Sequence, residues 1–439
     1  MSSIPLLNSA DFSEKLILRR EAFRWVMLLP LFAIMFSREA TSFDGPAAII
    51  YDKAIGGFRW IDFFLILLIS GTVALAWPKH APWLVPKTLV KPAWLFAATI
   101  VFSVFYGLAH GGTNVFFDWR GIALGTGLVV VFGYWVNAPF ALRSAVRLFL
   151  VVCAVKAIWI LLTYAMGSGV DVVLLGVRTP FFDGPVISLC GLAAVLAFRF
   201  ALEETRMLRK LEYLLISLLT GFLAVICFRR TMWGELFLAS AILIFPNKRA
   251  RKLALAALLA GSMFVLLIMP GVFVERLKSF DLLELNEASD YADTNAAHIG
   301  DLLDAWDQIQ THPIAGMGQG YSYDTLRIRD WKTESWMVHN AILQVWLRYG
   351  IVGLLAYLWF HLNLFRWLRR VGRDLGRDRS VRVFAQVSFA YMVALFVTRL
   401  GFAPWPYCET QMCVVIAFML GSLFAVQNPR EPPLVPEGR

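Results

Sequence analysis

Long apolar runs alternate with short polar connections along most of the chain, and only one polar stretch is long. A membrane-crossing helix needs roughly 20 mostly apolar residues. On that measure the pattern predicts about 12 spans, over 22–37, 61–77, 93–110, 121–137, 148–166, 186–200, 213–228, 232–246, 253–270, 339–363, 383–398 and 410–426. The runs on either side of Arg229 and Arg230 read either as two spans or as one broken, re-entrant element. The expected fold is an all-α polytopic membrane protein. Its first part, 1–270, holds about nine spans and its last part, 339–426, about three. Between them 271–338 forms one large loop, and the Pro-rich end, 427–439, reads as a disordered tail. Within the loop Ile299, Leu302, Leu303, Trp306 and Ile309 recur at helical spacing. That spacing predicts an amphipathic helix over 296–310, lying over the bundle or along the membrane interface.

Composition agrees. The 439 residues are 59% hydrophobic and only 16% charged, whereas soluble domains carry about 25% charged residues. The net charge of +10 raises the question of nucleic acid, but its distribution answers otherwise. Alternate connections, beginning with the N-terminal segment, hold 26 Lys and Arg, and the opposite set holds 13 despite containing the largest loop. Basic residues concentrate on the cytoplasmic side, so both termini are expected in the cytoplasm and 271–338 on the external side. The Arg-rich stretch 364–382 reads as a solvated cytoplasmic connection. The charge calls for membrane lipid as a partner and for no nucleic acid. The N-terminal run, which no small-residue cleavage site follows, reads as a retained anchor. The five cysteines (Cys153, Cys190, Cys227, Cys408, Cys413) show no metal-ligand spacing and mostly sit in apolar runs.

Charged groups near membrane depth are costly and therefore candidates for function. Arg229 and Arg230 join two apolar spans on the external side. They read either as a tight turn whose arginines reach the interface or as part of a phosphate site, which guanidinium forks suit. Arg178, in an external loop, and Arg276, at the start of the large loop, would complete such a membrane-level anion site. His339 begins the span after that loop. There the N-terminus of a helix favours anions, and imidazole, with an ordinary pKa near ~6.5, suits proton transfer. Gly350 and Gly353 lie on the histidine's helical face and are expected to let another helix pack closely. Arg348 falls about half a turn away and roughly 14 Å deeper, so a structural ion pair is its expected role. Before the span comes Pro313-Ile314-Ala315-Gly316-Met317-Gly318-Gln319-Gly320, whose glycines allow a tight turn or close approach to a ligand. His298 and the acids Asp290, Asp293, Asp301, Asp304 and Asp307 match no tight metal-ligand spacing. The acids read as solvated, and no metal or other cofactor is expected.

His339-Asn340 with Leu343, Gly350 and Gly353, preceded by Pro313-Ile314-Ala315-Gly316-Met317-Gly318, resembles the core motif of the O-antigen ligase and O-antigen polymerase superfamily. Phe228-Arg229-Arg230-Thr231 is similar to that family's short Ser-Arg motif at a helix junction. The likeness is tight over about 300–360 and organisational elsewhere. It implies an inverting, metal-independent glycosyltransferase. Such an enzyme moves a saccharide from an undecaprenyl-diphosphate carrier to a hydroxyl of lipid A-core, a growing glycan or a protein, at the periplasmic face. By the resemblance His339 would orient or deprotonate the acceptor, and Arg230 would hold the diphosphate. Arg229, Arg178, Arg276, His298, Asn340, Gly316 and Gly318 would contribute to substrate binding. Two positions depart from the family pattern: His298 stands where an arginine is common, and Arg348 where an acid is. The alternative reading is a polysaccharide or lipid transporter without transfer chemistry, which would use Asp62, Lys156 and Arg348 near mid-membrane.

Overall fold

The computed structural model describes residues 25–33, 53–55, 58–76, 85–112, 115–167, 170–172, 177–179, 184–227, 229–244, 290–323, 338–400 and 410–427. Helices occupy every expected span but one: 253–270 lies outside the described residues, as do Arg276, Cys408 and nearly all of the expected tail. In chain order they are α1 (25–33), α2 (Trp60–Ala76), α3 (Lys87–Ala109), α4 (Val115–Trp135), α5 (Pro139–Ala165) and α6 (Gly184–Glu203). There follow α7 (Met207–Ile226), α8 (Arg230–Ile244), α9 (Asp290–Thr311), α10 (Ala341–Arg373), α11 (Arg379–Thr398) and α12 (Thr410–Gln427). Among the described residues five helices, α3, α5, α6, α10 and α11, are long and apolar enough to cross a membrane, and α2, α8 and α12 contain shorter apolar helices. Apolar side chains line the outside of the bundle: Trp94, Phe105, Val155, Trp159 and Leu215 are each more than half exposed. In water that surface would be untenable; against lipid it is the expected one.

Two short antiparallel ribbons interrupt the helices. The first pairs β1 (Lys53–Ile55) with β2 (Phe58–Arg59), and the second pairs β3 (Val170–Val172) with β4 (Val177–Thr179). Hydropathy reads both segments only as connections, because strands this short barely register in a window tuned to helices.

The main core joins α4, α5, α6, α11 and α12. Phe32, Phe132, Phe149 and Phe384 all pack their rings on Phe418 or its neighbours, with centroids 5.0–5.9 Å apart. The four described cysteines Cys153, Cys190, Cys227 and Cys413 are buried. Helix α8 packs on α6 and α11 rather than back along α7, and α10 lies between α3 and α11. The two apolar runs around Arg229 and Arg230 are thus separate helices, not one broken element.

Helix α10 departs from the expectation of a continuous span. Gly350 adopts φ 66°, ψ −175° and breaks the helix into two pieces. The notch is filled by the glycine-containing segment rather than by a second helix. The Met317 N–H donates to the Leu347 carbonyl (2.7 Å) and the Ile351 N–H to the Pro313 carbonyl (2.9 Å). A Cβ on Gly350 would lie 1.9 Å from the Ile314 carbonyl oxygen. Only glycine combines that positive φ with so close a backbone approach.

Candidate active site

The exposed end of α10 carries His339 and Asn340. Asn340 is the N-cap: its side-chain oxygen accepts the N–H groups of Ile342 (2.9 Å) and Leu343 (3.0 Å). Its amide nitrogen donates to the Leu400 carbonyl at 2.6 Å. Both ends of the carboxamide are engaged within the protein, so Asn340, expected at the substrate, here sets where α10 begins.

The partner of His339 comes from α9. Asp301 Oδ2 accepts the ring Nδ1–H at 3.1 Å and the His339 backbone N–H at 3.0 Å, while Oδ1 accepts the Tyr323 hydroxyl at 2.8 Å. An ionised carboxylate only accepts. In the neutral imidazole the proton therefore sits on Nδ1, which leaves the lone pair on Nε2. Asp301 is only 3% exposed, whereas the His339 side chain is 39% exposed, so the base-bearing ring is reachable and its anchor is not. Burial by itself would raise the Asp301 pKa. The hydrogen bonds from the His339 ring and backbone and from Tyr323 outweigh burial and hold the carboxyl below its usual value.

This corrects the reading of the loop acids. Helix α9 does form, but Asp301 and Asp304 lie on its buried face with Ala305 and Ile309, while Leu303 and Trp306 are 47% and 38% exposed. The amphipathic stripe is rotated because Asp301 finds enough hydrogen bonds to tolerate burial. Trp306 meets Trp346 edge-on at 5.5 Å, and Trp346 Nε1 donates to the Pro313 carbonyl at 2.9 Å. Together these contacts pin α9 to α10 beside the histidine.

Gly316 and Gly318 have φ 74° and 85° and are buried. Their close approach is to protein backbone: a Cβ on Gly316 would lie 2.5 Å from the Gly350 nitrogen, and one on Gly318 2.7 Å from the Gly107 Cα. The role expected for them in substrate binding gives way to a packing role. The expected ion pair of Arg348 is present. Its Nε lies 3.0 Å from Asp118 Oδ2, both side chains being almost fully buried, and its Nη1 donates to the Gly318 (3.3 Å) and Tyr321 carbonyls. Asp118 Oδ2 also accepts the Gly320 N–H at 2.7 Å. The pair locks the glycine segment against α4.

Arg230 is the first residue of α8; Arg229, immediately before it, is half-buried. The junction is held by Trp233, whose N–H donates to the Arg229 carbonyl (3.1 Å) and whose Nε1 donates to the Val225 carbonyl (3.0 Å). Two contacts bring this start of α8 to the end of the bundle that bears His339. Buried Glu235 on α8 lies 3.6 Å from Arg399 Nη2, and the Arg399 carbonyl accepts the Ala341 N–H at 2.9 Å. Ser188 and Thr398 also donate to Glu235. Neither Glu235 nor Arg399 stands out in the sequence, since one hides in an apolar run and the other closes one. Arg178 lies in β4, its Cα opposite that of Asp171, and His298 in the first half of α9. The deep acid Asp62 is paired with Arg120 at 3.3 Å.

Residues 215–358 match the family model described as O-antigen ligase. The matched segment contains α8, α9 and the His339 end of α10, and so Arg230, Asp301 and His339, whereas Asp118 and Arg399 lie outside it. Over those 144 of its 439 residues the chain is similar to the O-antigen ligase family, and its described apolar helices are those expected of a multi-pass membrane protein. A search of curated proteins found no match.

Proposed function

We propose that the protein is an inverting glycosyltransferase of the O-antigen ligase or polymerase type. It transfers a saccharide from an undecaprenyl-diphosphate carrier to a hydroxyl of lipid A-core or a growing glycan, at the periplasmic face of a bacterial inner membrane. The observation that carries this reading is the bond from His339 Nδ1 to buried Asp301, because it leaves Nε2 as the base. In the step, Nε2 takes the acceptor hydroxyl proton as that oxygen attacks the anomeric carbon. The bond from that carbon to the diphosphate oxygen breaks, and its electron pair leaves with the diphosphate. Attack opposite the leaving group inverts the anomeric centre.

Diphosphate is already a good leaving group, so the site mainly needs fixed positive charge where negative charge develops. Arg230 supplies it at the N-terminus of α8, whose backbone dipole adds to it. Arg229, Arg178, Arg276 and His298 are assigned to the rest of the donor, and Asn340, Gly316 and Gly318 to the scaffold. No metal ion or other cofactor enters the scheme.

The test uses the purified full chain in nanodiscs with an undecaprenyl-diphosphate-linked oligosaccharide and an acceptor, with and without chelator. His339→Ala and Arg230→Ala are expected to abolish transfer while the melting transition is retained, and chelator to leave the rate unchanged. Full activity in both variants would sink the assignment. Ladders of repeat units would mark a polymerase; a single capped acceptor would mark a ligase.

A further inference from the structure

A second polar concavity lies at the other end of the bundle. Helix α11 begins there with Arg379, and its far end meets α10 through Arg399. At 1.5 Å per residue the two sites are about 30 Å apart. The basic-residue bias assigns this end to the cytoplasm.

The cavity has a volume of about 520 Å³ and is lined by Arg143 and Arg147 of α5, Arg206 and Arg209 at the start of α7, and Arg379 of α11. Glu203 and Glu204 are the acids in its wall, and both are already engaged. Glu203 bridges Arg199 and Arg379, each at 2.6 Å, and Glu204 accepts the backbone N–H groups of Thr205 and Arg206 at 3.0 Å. Outside the wall, Glu212 faces Arg147 at 3.1 Å and Asp378 faces Arg143 at 3.6 Å. Arg206 and Arg209 form no ion pair among the described residues. Positive-inside bias explains why arginines lie at this end. It does not explain why three helices aim them into one hollow.

The hollow adjoins a lipid-facing surface. Arg209 and Tyr213, one turn apart on α7, line the cavity. On the neighbouring stripe of the same helix Leu208, Leu211, Leu215 and Leu218 are 83%, 43%, 65% and 71% exposed. A ligand with an anionic head and apolar chains matches both surfaces, since guanidinium forks bind phosphate oxygens and basic pockets between membrane helices hold phosphate headgroups. We propose that this cavity binds the phosphate of an anionic membrane lipid, with the acyl chains along the exposed leucines of α7.

The test is native mass spectrometry of the full chain after equilibration with phosphatidylglycerol, phosphatidylcholine or inorganic phosphate. The expected result is selective retention of phosphatidylglycerol, lowered about tenfold by Arg206→Gln with Arg209→Gln. Arg369→Gln with Arg373→Gln removes the same charge at the same end but outside the cavity, and is expected to change nothing. All four side chains are exposed, so folding is not at stake. Equal loss in both double variants would overturn the proposal in favour of diffuse surface charge. Equal retention of the two lipids would overturn it as well. Retention of inorganic phosphate, with displacement of the lipid, would replace it with a soluble phosphate ligand.

Discussion

Asp301 holds His339 at two points, accepting the ring Nδ1–H at 3.1 Å and the backbone N–H at 3.0 Å with a single carboxylate oxygen. The pairing fixes both the tautomer and the rotation of the ring. Asp301→Asn keeps the shape but can offer its amide N–H₂ to Nδ1, which moves the imidazole proton to Nε2 and removes the base. The expected outcome is a fall in kcat of about 10²–10⁴ with the donor KM little changed, read by steady-state transfer assays. A rise in donor KM with kcat intact would instead make Asp301 a purely structural contact.

The same carboxylate makes the join between α9 and α10 sensitive to acid. Its folded-state pKa is depressed below the ordinary value of 3.8. Its stabilising contribution is therefore complete above that value and is lost as pH falls through the lower folded one. Hydrogen exchange at the His339 amide, taken relative to the intrinsic rate at the same pH, is expected to accelerate below pH 3.8 in the native chain. In Asp301→Asn it should already be faster at neutral pH and lack that acid step.

Much of the site can be read from the sequence because its residues contrast with their surroundings. His339 interrupts an apolar boundary, and the Pro313–Gly320 segment concentrates turn residues. Asp301 offers no such contrast. It is one of several acids on a loop helix, and acids on such helices are usually solvated. Only the tertiary contacts to His339 and Tyr323 separate it from the rest. Gly350 misleads for the opposite reason. The apolar periodicity continues on both sides of it, so a glycine that breaks the helix reads as a packing notch inside one.

That break is testable by size. Gly350→Ala forces a side chain into φ 66° and sets its Cβ 1.9 Å from the Ile314 carbonyl oxygen. The combined strain and overlap are expected to cost at least about 2–3 kcal/mol and to lower the melting temperature sharply. Gly71→Ala, on α2 with nothing within 4 Å of the added Cβ, is expected to be neutral or slightly stabilising. A small effect at both positions would mean that the glycine segment does not seat in the break.

Arg348 and Asp118 are expected to behave as one unit, because each also holds the glycine segment. Removing the charge in Arg348→Met leaves Asp118 buried, and loss of one partner of a buried pair typically costs about 3–5 kcal/mol. The double variant with Asp118→Leu should recover part of that stability but not all. The Gly318 and Tyr321 carbonyls and the Gly320 N–H would still lack their partners. A double-mutant cycle on thermal unfolding measures the coupling, and additive single effects would argue against the pair.

Glu235 and Arg399 connect α8 and α10, so under the proposed function their loss is expected to appear in donor handling as well as in stability. Glu235 is buried on α8, five residues after Arg230, and Arg399 passes the contact to the first residue of α10. Glu235→Gln keeps the bonds from Ser188 and Thr398 possible but removes the carboxylate charge that faces the Arg399 guanidinium. A shift at the start of α8 moves Arg230 relative to His339, and misplacement by about 1 Å can cost 10²-fold in rate. The expected signature is a larger loss in kcat/KM for the donor than for the acceptor, with the His339–Asp301 pair intact by hydrogen exchange. Equal losses for both substrates would place the effect at His339 itself, and the link between the helices would then carry stability alone.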